Sequence, residues 1–193
     1  MSIRLQVIVG STRPGRFSEK PAKWIFQKAK ELKDAEVELL DLREYPLPFY
    51  NEPLSPSSLE KYSSDVADKW ARKVSEADGY IIVTPEYNHG YSAVLKNALD
   101  FAYYPWNGKA VGFVSYGGVS GARSVEQLRL VAIELQMAPV RNTVHIPVKL
   151  FSELKEKEQV TVADFSSIDS YAEGFLQQLI WWTRALKEAR EAT

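Results

Sequence analysis

Gln6-Val7-Ile8-Val9-Gly10-Ser11-Thr12-Arg13-Pro14-Gly15-Arg16-Phe17-Ser18 is an apolar strand that breaks into a Gly/Ser/Arg loop just before an amphipathic segment. The loop reads as a phosphate cradle. Gly10 lets the chain turn at the strand's carboxyl end, Ser11 and Ser18 offer hydroxyls, and Arg13 and Arg16 offer charge. The next helix presents unpaired N–H groups and the positive end of its dipole. The pattern is not G-x-x-x-x-G-K-[ST], because Gly15 is followed by Arg16-Phe17, and it is not G-x-G-x-x-G, because Thr12 and Arg13 stand where glycines are required. Two serines and two arginines suit a terminal phosphate dianion. The alternative is an ordinary β-to-α turn whose arginines face water.

The rest of the chain narrows the setting. Its 193 residues fit one domain over 1–193, burying roughly 70% of the unfolded surface. With 24 Lys plus Arg against 25 Asp plus Glu, no general affinity for nucleic acid or acidic membrane is expected. The absence of cysteine excludes disulfides, thiolate metal sites and a Cys nucleophile. His89 and His145 are too far apart in sequence for a metal-ligand motif, so no metal is expected. Without a signal-peptide pattern or a long apolar run, the expectation is a soluble cytoplasmic protein with no membrane insertion.

Strands and helices alternate along the chain. The expected strands are Arg4 to Val9, Glu36 to Asp41, Gly79 to Thr84, Ala110 to Tyr116 and Pro139 to His145. The expected helices run from about Ser18 to Lys33, Leu59 to Glu76, Ser92 to Ala102, after Gly121 to Leu135, and Ile168 to Ala189. Ser152 to Gln159 reads as a charged, solvated excursion. In the last helix Tyr171, Phe175, Leu179, Trp182 and Leu186 are spaced as a packing face, and Trp181-Trp182 reads as packing or subunit contact. A proline-rich loop from Tyr45 to Asn51 and beyond is longer than a usual connection. In it, Phe49 and Tyr50 either stack near a substrate or pack against a neighbour.

Five parallel strands with right-handed crossovers make a doubly wound α/β sheet, and the order 2-1-3-4-5 is the flavodoxin-like one. Ligands bind at the carboxyl ends of such strands, at the switch point between the first and third. The loops at 10–18 and 85–90 follow those two strands, and Gly117-Gly118-Val119-Ser120-Gly121 follows the fourth. Three loops therefore converge on one crevice.

Gly10-Ser11-Thr12-Arg13, Pro85-Glu86-Tyr87-Asn88 and Tyr116-Gly117-Gly118, with Gly90-Tyr91-Ser92 and Leu95 to Asp100, resemble the NADPH-dependent FMN reductases, a group that includes quinone and azo reductases. The resemblance spans roughly residues 3 to 147. It implies bound FMN, NADPH or NADH as co-substrate, and a homodimer or homotetramer in which neighbouring subunits border the flavin. By position it places Ser11, Arg13 and Arg16 around the FMN phosphate, with Phe17 and Ser18 closing that loop. Many members have Ser at the position of Arg16 and Asn at that of Ser18. It places Pro85, Glu86, Tyr87 and Asn88 along the ring and ribityl side, with their backbone N–H groups reaching the ring edge. Ser115, Tyr116, Gly117 and Gly118 approach from the other side, the glycines letting backbone come close to a flat ring.

In that reading the flavin carries the chemistry and no catalytic side chain is required. A hydride passes from nicotinamide to flavin, and electrons then pass to a quinone, azo compound, free flavin or metal ion, in a ping-pong sequence. The rival is a flavodoxin-like electron carrier or flavin-binding regulatory protein that reacts slowly with NAD(P)H; the balanced charge lacks the acidic face such carriers use for steering. Glu86 either contacts flavin or has a structural part, capping a helix or pairing with an arginine. His89 lies near the expected ring position, and His145 has less claim to a role. With Arg13 and Arg16 assigned to the FMN phosphate, Arg123 is one candidate for a 2′-phosphate.

Overall fold

The computed structural model describes residues 2–59, 61–62 and 64–192. Its elements run β1 (Ile3–Val9), α1 (Glu19–Lys30), β2 (Ala35–Asp41), α2 (Asp65–Ser75), β3 (Gly79–Pro85), α3 (Ala93–Asp100), β4 (Ala110–Tyr116), α4 (Ala122–Glu134), β5 (Ala138–Pro139), β6 (Val144–His145), α5 (Val148–Glu156) and α6 (Asp169–Glu191). The strands pair in parallel in the order β2-β1-β3-β4-β5, the flavodoxin-like arrangement expected from the alternation.

Position in the sheet explains the residue patterns. Every residue of the central strands β3 and β4 is buried, which is why they read as continuous apolar runs. On the edge, β2 alternates between half-buried positions and the exposed Glu36 and Glu38. Successive side chains point to opposite faces. Tyr80, Ile82 and Phe113 pack with Trp70, Leu99, Trp106 and Leu128 under α2, α3 and α4. Ile81, Val83 and Val114 pack with Trp24, Ile25, Phe165, Phe175 and Leu179 under α1 and α6.

The fifth strand departs from expectation. Instead of one strand over 139–145 there are two short pieces, β5 beside Ala110 and Val111 and β6 beside Val114 and Ser115. Pro139 is tolerated in β5 because Ala138 and Val140 make the bonds to β4 and position 139 faces the open edge. After Val140 bonds Val111 (2.9 Å), the chain leaves the sheet, and the Asn142 N–H donates to the Gln178 side chain (2.7 Å) before Ile146 rejoins at Ser115 (2.9 Å).

The segment expected as a solvated excursion is largely helical, in α5. Its charges face water, but Leu154 is buried and the Phe151 ring lies edge-on to Phe17 at 4.9 Å, beneath the first loop. In α6 the buried stripe is Ala172, Phe175, Leu176, Leu179 and Thr183, whereas Tyr171 and Trp182 are 67% and 39% exposed. The expected start of the second helix near Leu59 crosses positions 60 and 63, which lie outside the described residues; α2 begins at Asp65. Among the described residues no helix is long and apolar enough to cross a membrane.

Candidate flavin site

The first loop is fixed at its root by close backbone approach. A Cβ on Gly10 would lie 2.6 Å from the Val83 carbonyl oxygen, to which the Gly10 N–H donates at 2.8 Å. Glycine is needed there because the ends of β1 and β3 touch. Ser92, the N-cap of α3, accepts from the Leu95 N–H (3.3 Å) and donates to the Gly10 carbonyl (2.5 Å), tying α3 to the same point.

Beyond Gly10, hydroxyls from different loops gather. Ser11 Oγ lies 3.0 Å from the Tyr87 hydroxyl. Ser18 Oγ, at the start of α1, and the Tyr116 hydroxyl, at the end of β4, are both buried without a hydrogen-bond partner among the described residues. Burial pushes the Tyr116 phenol above its ordinary pKa, and the Ser18 and Tyr87 hydroxyls are its polar neighbours. Phe17 is buried and packs edge-on to Tyr116 at 4.9 Å, so it supports the pocket from beneath. Arg13 is exposed, with its guanidinium 5.7 Å from the Tyr87 ring centroid. Buried polar atoms without partners cost free energy unless something else satisfies them. A phosphate monoester beside Arg13 fits that need.

Arg16 is placed differently from its expected partner. Its side chain is 1% exposed and turned inward. Nε donates to Glu19 (2.9 Å), Nη1 to Asp41 (2.8 Å) and to the Ser11 carbonyl, and Nη2 to the other Asp41 oxygen. Arg43 completes the brace, donating to the Thr12 (3.3 Å) and Arg13 (2.8 Å) carbonyls and to Glu19 (3.1 Å). Burial alone would lower the Arg16 pKa, and the bonds to Asp41 and Glu19 more than offset it, leaving it raised. Burial likewise favours the neutral form of Asp41, but Arg16 and the Arg43 N–H hold its carboxyl below the usual range. Arg16 therefore shapes the cradle rather than presenting its charge to a phosphate.

In the second loop the Tyr87 N–H bonds the Gly90 carbonyl (2.8 Å) and the Gly90 N–H bonds Tyr87 (3.1 Å), a tight turn with Asn88 and His89 at φ 50° and 70°. The Glu86 N–H donates to the Tyr116 carbonyl (2.9 Å) and Pro85 has no N–H. Of the four positions expected to offer backbone donors to a ring edge, only Asn88 remains available. The Glu86 carboxylate, 3% exposed, takes the structural part: it accepts from Arg123 Nε (2.6 Å), Arg123 Nη2 and the Arg123 backbone (3.3 Å) in the first turn of α4. Arg123 Nη1 also lies 2.8 Å from His89 Nε2, which must accept because a guanidinium only donates. Arg123 is thus committed to Glu86 and His89.

In the third loop Gly117 has φ 149°, and a Cβ there would lie 2.9 Å from Glu86 Cβ, so glycine allows the second and third loops to meet. A Cβ on Gly118 would meet nothing within 4 Å, leaving the space over it open. Ser115 Oγ donates to the Ser120 carbonyl (2.8 Å) and pairs with His145 Nδ1 (2.8 Å), so His145 holds this loop. The proline-rich loop is pinned to α3 by Asn97, which accepts from the Tyr50 N–H (2.9 Å) and donates to the Pro48 carbonyl (2.7 Å). Tyr50 packs on Phe101, whereas Phe49 is 84% exposed. A cavity of about 330 Å³ lies between this loop, Thr12 and α3.

Sequence reasoning missed Asp41, Arg43 and the role of His145. The sheet order held a signal for the first two: the end of β2 must lie beside the loop that follows β1, and it carries Asp41-Leu42-Arg43.

The fold is a flavodoxin-like α/β sheet whose three special loops meet at the switch point. A family model, NADPH-dependent FMN reductase, matches residues 3–150. An NAD(P)H-dependent FMN reductase of Schizosaccharomyces pombe is 37% identical over 75% of this chain and 74% of its own. An NAD(P)H:quinone oxidoreductase of Solanum tuberosum is 31% identical over 70% of each chain. FerB, a flavoenzyme NAD(P)H:(acceptor) oxidoreductase from Paracoccus denitrificans, shares the fold with a TM-score of 0.71 at 22% identity, covering 95% of this chain and 98% of that one. The chain belongs to the NADPH-dependent FMN reductase family and is an FMN-dependent NAD(P)H oxidoreductase.

Proposed function

We propose that the crevice between the three loops holds FMN and that the enzyme passes reducing equivalents from NAD(P)H to quinone, azo, flavin or metal-ion acceptors in a ping-pong sequence. The observation that carries the reading is the pair of buried, unpartnered hydroxyls of Ser18 and Tyr116 beside the Ser11–Tyr87 pair. Bound FMN supplies the hydride and electron chemistry. Ser11, Ser18 and Arg13 hold the phosphate by hydrogen bonds and charge, while Arg16 and Phe17 shape the loop without touching it. Tyr87, Asn88, Gly117 and Gly118 line the ring, with Pro85, Glu86 and Ser115 fixing those loops from behind and the Tyr116 hydroxyl offered to the phosphate beside Ser18. The Arg123–Glu86 pair and the His145–Ser115 bond keep the two ring-side loops in place, so the nicotinamide and acceptor meet a preset surface.

The relative named as a quinone oxidoreductase supports quinones as one acceptor class. Initial rates at varied NADPH and several fixed concentrations of a benzoquinone test the sequence. Parallel double-reciprocal lines are expected, and intersecting lines would refute the ping-pong order. A homodimer or homotetramer is part of the same proposal. Leu130 and Ile133, 71% and 61% exposed on α4, are apolar surface that a second copy would cover. Light scattering coupled to gel filtration reads the assembly, and a monomer at micromolar concentration would contradict it.

A further inference from the structure

We propose that a groove at the broken edge of the sheet seats the phosphorylated adenosine arm of NADPH; this deepens the preceding reading and rests on it. The groove encloses about 960 Å³ between α4, the β5–β6 edge and α6, and reaches Ala122 and His145 beside the third loop. Tyr171 and Trp182 both line it from α6, about 16 Å apart along the helix axis. That span suits an extended dinucleotide better than a single phosphate.

The charge of the groove is unbalanced where it matters. Arg129 is half-buried and held in place, its Nη2 donating to the Arg141 carbonyl and to Thr143 Oγ1, both at 2.9 Å, and its guanidinium 5.7 Å from the Phe113 ring centroid. Its Nε and Nη1 make no hydrogen bond among the described residues. Arg16 meets Asp41, Arg123 meets Glu86 and Lys187 meets Asp78, whereas the buried Lys109 forms no ion pair among the described residues and donates to the Ser75 carbonyl and the Tyr80 hydroxyl, away from this groove. Arg129 meets no carboxylate, and burial lowers its pKa with none to restore it. Glu126 lines the groove but forms an ion pair with neither Arg129 nor Arg141. Arg141 is exposed beside it, and its side chain is likewise unpaired among the described residues.

Two guanidiniums with uncommitted donors and an aromatic wall are the complement of a ribose phosphate joined to a purine ring. Arg123 is held by Glu86 and His89, which leaves Arg129 and Arg141 as the pair for the 2′-phosphate that separates NADPH from NADH.

The test is titration calorimetry of the FMN-loaded protein with adenosine 2′,5′-bisphosphate, alongside steady-state kinetics with NADPH and NADH. Arg141→Gln is the clean variant, because Arg129 bonds the Arg141 backbone and keeps its seat. The probe binds the parent protein, Arg141→Gln weakens it at least tenfold, and the KM for NADPH rises with kcat and the KM for NADH unchanged. Arg129→Gln has the same direction. No binding to the parent protein, as when a second copy covers the groove, or equal binding by the variants, overturns the proposal. The flavin absorbance of the same desalted samples keeps the two readings apart: lost flavin is a failure of the flavin site, whereas retained flavin with unaltered probe binding in the variants is a failure of the groove.

Discussion

Two arginines, one buried and one half-buried, divide the molecule. At the β1 end Arg16 is enclosed by Asp41, Glu19 and a backbone carbonyl, and its charge is consumed in building a loop. At the β5–β6 edge Arg129 is held only by neutral acceptors and retains donors toward a groove. Residue type does not separate a brace from a ligand contact; the presence of a carboxylate within the fold does. The brace is a matter of stability, and the open arginine is a matter of binding.

The largest effect comes from breaking the brace. Asp41→Ala leaves a buried guanidinium with Glu19 as its one carboxylate beside the Ser11 carbonyl and should cost about 3 kcal/mol, read by calorimetry as a Tm lower by on the order of 10 °C; an unchanged Tm would contradict the brace. Next in size, Gly117→Ala strains a backbone at φ 149° and drives a Cβ against Glu86. A loss of about 2 kcal/mol is expected. Gly118→Ala, where the protein leaves open space, should keep the apoprotein Tm and weaken FMN. Equal behaviour of the two in apoprotein melting would contradict the assignment of that space to the ring.

The double variant Arg13→Ala/Ser18→Ala should weaken FMN about tenfold, or about 1.4 kcal/mol, measured by flavin fluorescence, with the apoprotein Tm kept. Against Asp41→Ala it sharpens the contrast between contact and support.

The fold was legible because its signals are local or topological. The buried run Gly79 to Thr84 marked a central parallel strand, and the sheet order brought the three special loops together. What escaped depended on partners distant in sequence. Arg16 is the same residue on paper whether it faces phosphate or Asp41, and nothing within the loop says which. The helix at Val148–Glu156 was hidden because its charged residues outnumber the Phe151 and Leu154 that anchor it. The split of the fifth strand turned on a Gln178 side chain from another element, which takes the Asn142 N–H.

The smallest effect is a titration. Asp41 has a folded pKa below its unfolded value of about 3.9, so its contribution is complete above that value and is lost as pH falls through the folded pKa. Stability of the parent protein should decline on acidification below about pH 4, and Asp41→Asn should flatten that limb of the profile. An identical acid limb in both would assign it to other carboxylates.

The central claim is that the three loops hold a flavin that NAD(P)H can reach. Its most direct test is the anaerobic visible spectrum of FMN-loaded, desalted protein before and after one equivalent of NADPH. The account predicts a retained flavin band that bleaches within seconds. A protein that keeps no flavin, or a band that persists after NADPH, would contradict it.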